Sequence, residues 1–125
     1  MNIQSSPKPS ENVWLWLLKI FSGALVLVLL IIHFLVNHFL APEGLLSHAE
    51  VVQYYQNPII PIMEGLFLLF VLTHSLTGMR GIILDLNPNL NVMKWVDTLF
   101  VALGVFAFLY GVYVLAAVVG YGKTV

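Results

Sequence analysis

The sequence predicts an all-α integral membrane protein with three transmembrane helices, in one unit of 125 residues. Two observations carry that prediction. Hydrophobic residues make up 60% of the chain and charged residues only 9%, against roughly a quarter charged in a soluble domain. Such a chain cannot cover a water-facing surface, so lipid has to solvate it. In addition, three apolar runs, about 13–40, 58–84 and 93–119, each exceed the about 20 residues that cross a bilayer. Backbone groups in lipid must be satisfied internally, so all three runs are expected to be helical.

The punctuation between the runs agrees. Residues 1–12 form a polar tail, and in "SSPKPSEN" either Ser10 or Asn12 can cap the first helix. The membrane unit then occupies 13–125. The first run exceeds a signal-peptide core and lacks an Ala-x-Ala site, so it is expected to be retained. "APEGLLSHAEVVQYYQNP" reads as an outer loop, with "SHAEVVQYY" a short interfacial helix holding Tyr54 and Tyr55 at headgroup level. "DLNPNLN" reads as a tight turn built on Pro88 and its asparagines. Lys8, Lys19, Arg80 and Lys94 fall on one side of the membrane and Lys123 on the other. The positive-inside rule then places the N-terminus in the cytoplasm, with Trp14, Trp16 and Trp95 as belt residues on that side. The net charge of −1 provides no basic stripe for nucleic acid. The absence of Cys excludes disulfides and thiolate-held metals or iron–sulfur clusters on this chain.

Ionisable groups inside spans are costly and mark function, so each is weighed. His74 lies six residues before Arg80, roughly 9 Å inside the inner boundary by the helical rise. Gly78, Gly81 and Asp85 follow at i+4, i+7 and i+11, within about 40° of its face. One stripe thus holds an imidazole, two glycines and a carboxylate. Relief beneath a histidine suits a flat cofactor, and His is the standard axial ligand of buried haem. It suits equally a histidine bonding a neighbouring helix, with glycines for close packing.

His33 lies roughly 21 Å from Lys19 along the first helix, toward the outer leaflet. Ser22 and Asn37 share its face, whereas His38 is about 140° away and nearer the outer interface. His33 is therefore the better candidate for a buried ligand. The depths of His33 and His74 differ by roughly 12 Å, so one haem cannot use both. If both are ligands, two haems stack across the membrane. Their opposite axial ligands then come from another chain, because the third helix contains no histidine. Glu64 falls at about the depth of His33. It reads either as a proton-path or haem-neighbour group, or as an interfacial glutamate favoured by the helix N-terminal dipole. Arg80 and Asp85 read either as an interfacial ion pair or helix end, or as a polar pocket for an amphipathic head group. Lys94 and Asp97 read as interfacial charges, and Gly104 and Gly111 as a packing face.

At this point the residues resemble a known family. "HSLTGMRGIILDL" resembles the His-x-x-x-Gly-[Met/Leu]-Arg/Trp…Asp pattern in the second helix of the hydrophobic membrane anchor, the cytochrome b component, of succinate dehydrogenase. "FSGALVLVLLIIHFLVN" resembles the first helix of that family's two-haem branch, where Ser-Gly near the inner side precedes a haem-ligand histidine and an asparagine four residues later. The resemblance implies that the chain is half of a six-helix haem-binding bundle in the cytoplasmic membrane. The partner is a second three-helix anchor subunit, and an iron–sulfur subunit and a flavoprotein subunit sit on the inner face. Succinate chemistry lies on another chain, and electrons pass through the iron–sulfur subunit to membrane quinone with haem b nearby. His74 matches the ligand of the proximal haem and His33 that of the distal haem. Gly78 and Arg80 belong to the second-helix motif, Asp85 matches the acidic residue near the quinone pocket, and Ser22 lies at that pocket's height. Leu86 stands where the single-haem branch often places a quinone-bonding tyrosine, so either another chain supplies that donor or the quinone sits differently. Two haems spanning the membrane fit a low-potential quinone such as menaquinone.

Three competing readings make different predictions. A haem-free structural anchor would use its histidines as hydrogen-bonding groups. A fumarate reductase anchor would carry the same features. A transporter or channel component would need polar groups in the third helix, which has Thr98 near its start and almost none within.

Overall fold

The computed structural model describes residues 9–40 and 46–124. The tail through Lys8, the loop segment 41–45 and Val125 lie outside the described residues, and with them part of the expected outer loop. Four helices follow in order: α1 (Val13–Leu40), α2 (His48–Tyr54), α3 (Ile59–Asp85) and α4 (Leu90–Tyr121). No strand occurs among the described residues. The chain is all-α, and α1, α3 and α4 are each long and apolar enough to cross a membrane.

Side-chain caps set the helix ends. Asn12 Oδ1 accepts from the Trp14 N–H at 2.9 Å, so Asn12, one of the two expected candidates, caps α1. Ser47 and Glu50 form a reciprocal capping box on α2, which satisfies two donors that the first turn otherwise leaves free. Those hydrogen bonds hold the Glu50 carboxyl below the usual carboxylate range. Between α3 and α4, Asn87 turns the chain at φ 58, a left-handed conformation that asparagine tolerates. Asn89 Oδ1 then accepts from the Val92 N–H at 2.9 Å. That cap starts α4 at Leu90, ahead of the apolar run.

The helices run up and down, with α3 central and α1 and α4 each packed along it. Lys19, Arg80 and Asp97 mark one end of the bundle. At the other end α2 lies against α4, where Gln56 Nε2 donates to the Val119 carbonyl at 3.4 Å and His48 meets the Tyr121 ring edge-on. The interior is thin. Among the described residues only Ile60, Met63, Met93 and Ser22 are buried, while most large apolar side chains face outward. Such a surface requires lipid or another apolar chain around it.

The α3–α4 seam closes through glycines. A Cβ at Gly104 would stand 2.9 Å from Leu76 Cδ1, and one at Gly111 would collide with Leu68 Cδ2. Close backbone approach of this kind drives helix association where no hydrophobic effect operates. Gly111→Val is therefore expected to destabilise the solubilised protein by roughly 1–3 kcal/mol through overpacking. A lower thermal unfolding midpoint in detergent is the readout.

Candidate functional site

The candidate ligands lie along the α1–α3 seam. His74 Nδ1 sits 3.0 Å from the Lys19 backbone carbonyl. A carbonyl only accepts, so Nδ1 carries the hydrogen, and a neutral ring in that tautomer has its lone pair on Nε2. That tautomer is the one able to bind a metal, with the carbonyl fixing the ring from behind. The socket comes from one turn of α1. Ser22 is wholly buried and its hydroxyl donates to the same Lys19 carbonyl at 3.1 Å. Gly23 forms the wall, since a Cβ there would stand 2.7 Å from His74 Cε1 and 2.9 Å from Nδ1.

The remainder of the ring faces outward from the bundle. One turn along α3, a Cβ at Gly78 would meet nothing within 4 Å. The expected relief beneath His74 is therefore present at Gly78. It does not extend to Gly81, where a Cβ would meet Lys19 Nζ at 3.3 Å. That ammonium is drawn over the glycine by its ion pair with Glu11, at 2.6 Å.

His33 occupies the same seam toward the α2 end. Its Nδ1 lies 2.9 Å from Glu64 Oε1, and its ring stacks on Phe67 with centroids 5.6 Å apart. His33 Nδ1 is buried and the Glu64 oxygen lies off its N–H axis, so the pair is a close polar contact rather than an aligned hydrogen bond. Asn37 Nδ2 donates to the His33 backbone carbonyl at 2.9 Å. His38 is exposed and stacks on Phe34, apart from this seam. The pairs Gly23–His74 and His33–Glu64 are ten residues apart on both helices. The two sites are thus in register on antiparallel helices, roughly 15 Å apart along the seam. Near the Glu64 end, burial pushes the Tyr54 and Tyr55 hydroxyls above the usual tyrosine range, and the Glu64 carboxylate adds to it.

Arg80 turns elsewhere. Its Nε and one Nη donate to the two Asp97 oxygens on α4, at 2.6 and 3.2 Å, so the ion pair at this end joins α3 to α4 and does not involve Asp85. Six residues place Arg80 about 120° round the helix from His74, which explains why the two face different neighbours. The Arg80–Asp97 pair closes one end of an apolar cleft of about 510 Å³ between α3 and α4. Asp85 is the last residue of α3 and is exposed.

Among the described residues no three His, Cys, Asp or Glu side chains converge on one point. The surroundings of His74 nevertheless fit a haem-holding histidine. Nδ1 faces an acceptor from this chain, and the exposed flank of His74 has free space one turn away at Gly78. Sequence reasoning missed the Lys19 carbonyl, the Gly23 wall and Asp97 as the partner of Arg80. The signal for Gly23 was available: once His33 and Glu64 share a depth, antiparallel register sets Gly23 opposite His74.

Comparison with known proteins places this geometry. The succinate dehydrogenase/fumarate reductase transmembrane subunit family matches residues 4–113, a stretch that includes α1 to α3 and most of α4. The chain is also similar to the succinate dehydrogenase hydrophobic membrane anchor subunit of Archaeoglobus fulgidus, at 33% identity over 103 residues, covering 82% of this chain and 87% of that protein. With three membrane-length helices and a family match over most of its length, the chain belongs to the succinate dehydrogenase/fumarate reductase transmembrane subunits.

Proposed function

We propose that this chain is the haem-b-ligating membrane anchor of a succinate:quinone oxidoreductase, with its N-terminus in the cytoplasm. The observation that carries the proposal is the bond of His74 Nδ1 to the Lys19 carbonyl, with His33 in register on the same seam and its Nδ1 close to Glu64. His74 and His33 would each give one axial ligand to a haem b. A second three-helix anchor subunit would supply the rest of the protein surround, since this chain's own helices leave His74 exposed. When bound, haem b supplies a one-electron carrier between the iron–sulfur subunit and membrane quinone. The flavoprotein subunit carries the dicarboxylate chemistry. The relative's name favours succinate oxidation over fumarate reduction as the working direction.

The remaining residues divide by geometry. Asp85, exposed at the Lys19 end, is the group on this chain that can meet a quinone head group or the proton it takes up. Ser22, buried on α1, donates to the carbonyl that orients His74. Arg80 fixes the α3–α4 edge beside it. A two-haem arrangement fits a low-potential quinone such as menaquinone.

The test is haem content of the purified complex by pyridine haemochrome. Two haems b per complex are expected. None would make this a haem-free anchor whose histidines only tie helices together.

A further inference from the structure

We propose that Glu64 is the positioning residue of His33: its carboxylate accepts the Nδ1 hydrogen, leaves Nε2 for the metal, and makes that ring a stronger electron donor than His74. The inference rests on the proposed ligation by His33. Glu64 is the sixth residue of α3 and lies within a span, where a carboxylate is expensive. A purely interfacial glutamate would extend into water. This one is only 14% exposed and points at α1, with Oε1 2.9 Å from His33 Nδ1. That nitrogen is buried and makes no aligned hydrogen bond among the described residues. A buried N–H without an acceptor is costly, and at 2.9 Å a small turn of the Glu64 carboxylate would bring its oxygen onto the N–H axis. Phe67, three residues after Glu64 and on the same helix face, stacks on the ring, so α3 supplies both the acceptor and the packing that hold His33.

The contrast with His74 gives the proposal its content. His74 Nδ1 faces a neutral backbone carbonyl, whereas His33 Nδ1 faces a carboxylate. Charge-assisted hydrogen bonds are roughly twice as strong as neutral ones. A carboxylate draws the Nδ1 hydrogen further from the ring, which leaves more electron density on Nε2 and raises ligand basicity. The oxidised iron is then favoured at His33 by an element that His74 lacks.

The test is an optical redox titration of the purified complex, wild type against Glu64→Gln. Glutamine keeps the shape and an acceptor oxygen but removes the charge. Both haems are expected to remain in Glu64→Gln. The haem that His33→Ala removes should become easier to reduce by about tenfold, which is 59 mV for one electron, and the other haem should not move. Two haems with unchanged midpoints in Glu64→Gln, or equal shifts in both haems, each overturn the proposal. A wild type without a haem lost in His33→Ala overturns the ligation reading and this proposal with it. If Glu64→Gln does not assemble, the redox-induced infrared difference spectrum of wild type grown with carbon-13 glutamate decides. A labelled carboxylate band tracking reduction of that haem is expected, and its absence overturns the proposal.

Discussion

His74→Ala is expected to remove one haem from the assembled complex, leave the other in place, and abolish most electron transfer to quinone. The reason lies in how completely the structure prepares this one ring. Its Nδ1 is committed to the Lys19 carbonyl, that carbonyl is held by a wholly buried Ser22, and its flank at Gly78 is open. Nothing nearby replaces it. Thr73 and Ser75 bond their own helix, and Thr77 bonds back to the Thr73 carbonyl. His33 is roughly 15 Å away along the seam and cannot substitute. Alanine removes the ligand outright. The fall in haem affinity should therefore exceed the about 10–100-fold typical of losing an outer-shell partner. The seam itself should survive, since the lost contact is one side chain on the rim of the α1–α3 packing. The check is pyridine haemochrome together with succinate:quinone and succinate:artificial-acceptor activities. Haem should fall from two to one. Quinone reduction should collapse, and reduction of an artificial acceptor by the peripheral subunits should persist. Two haems retained in His74→Ala would remove this residue from the site.

How much of this was legible in the sequence depends on which interaction decides each feature. The spans were legible because hydropathy over about 20 residues has few other physical explanations. The α3–α4 turn was legible because asparagine and proline have few other uses there. That His33 and His38 face different ways was legible from helical angle alone, and the structure has His33 on the α1–α3 seam and His38 outside it. What one helix's angles could not give is which neighbour each face meets. Arg80 and Asp85 are close in sequence and share one end of the helix, yet Arg80 pairs across to Asp97. Gly81 falls on the His74 stripe, yet a lysine from α1 covers it. The orienting acceptor for His74 is a backbone carbonyl, which every residue possesses, so no residue type could announce it.

Gly23→Val is expected to do nearly as much damage as losing the ligand while leaving His74 in the sequence. Gly23 is not chemical. It is the surface against which the imidazole lies, and even a bare Cβ there would stand 2.7 Å from Cε1. A contact that short cannot persist, so either the ring swings or the helices part. Parting α1 from α3 would give up the seam on which both candidate sites stand. Swinging the ring costs only the bond to the Lys19 carbonyl, so the ring moves. That releases the Nδ1 hydrogen from the acceptor that fixes the tautomer and turns Nε2 from its set direction. The expected result is a roughly 10–100-fold loss of haem affinity at this site, as for other outer-shell lesions, with the second haem and assembly retained. Graded substitution separates partial from complete displacement of the ring. Gly23→Ala should lower occupancy and broaden the spectrum of that haem, and Gly23→Val should empty the site. A fully occupied, spectrally unchanged haem in Gly23→Val would mean that His74 does not lean on α1 in the assembled complex. The socket would then have to be built by the partner anchor instead.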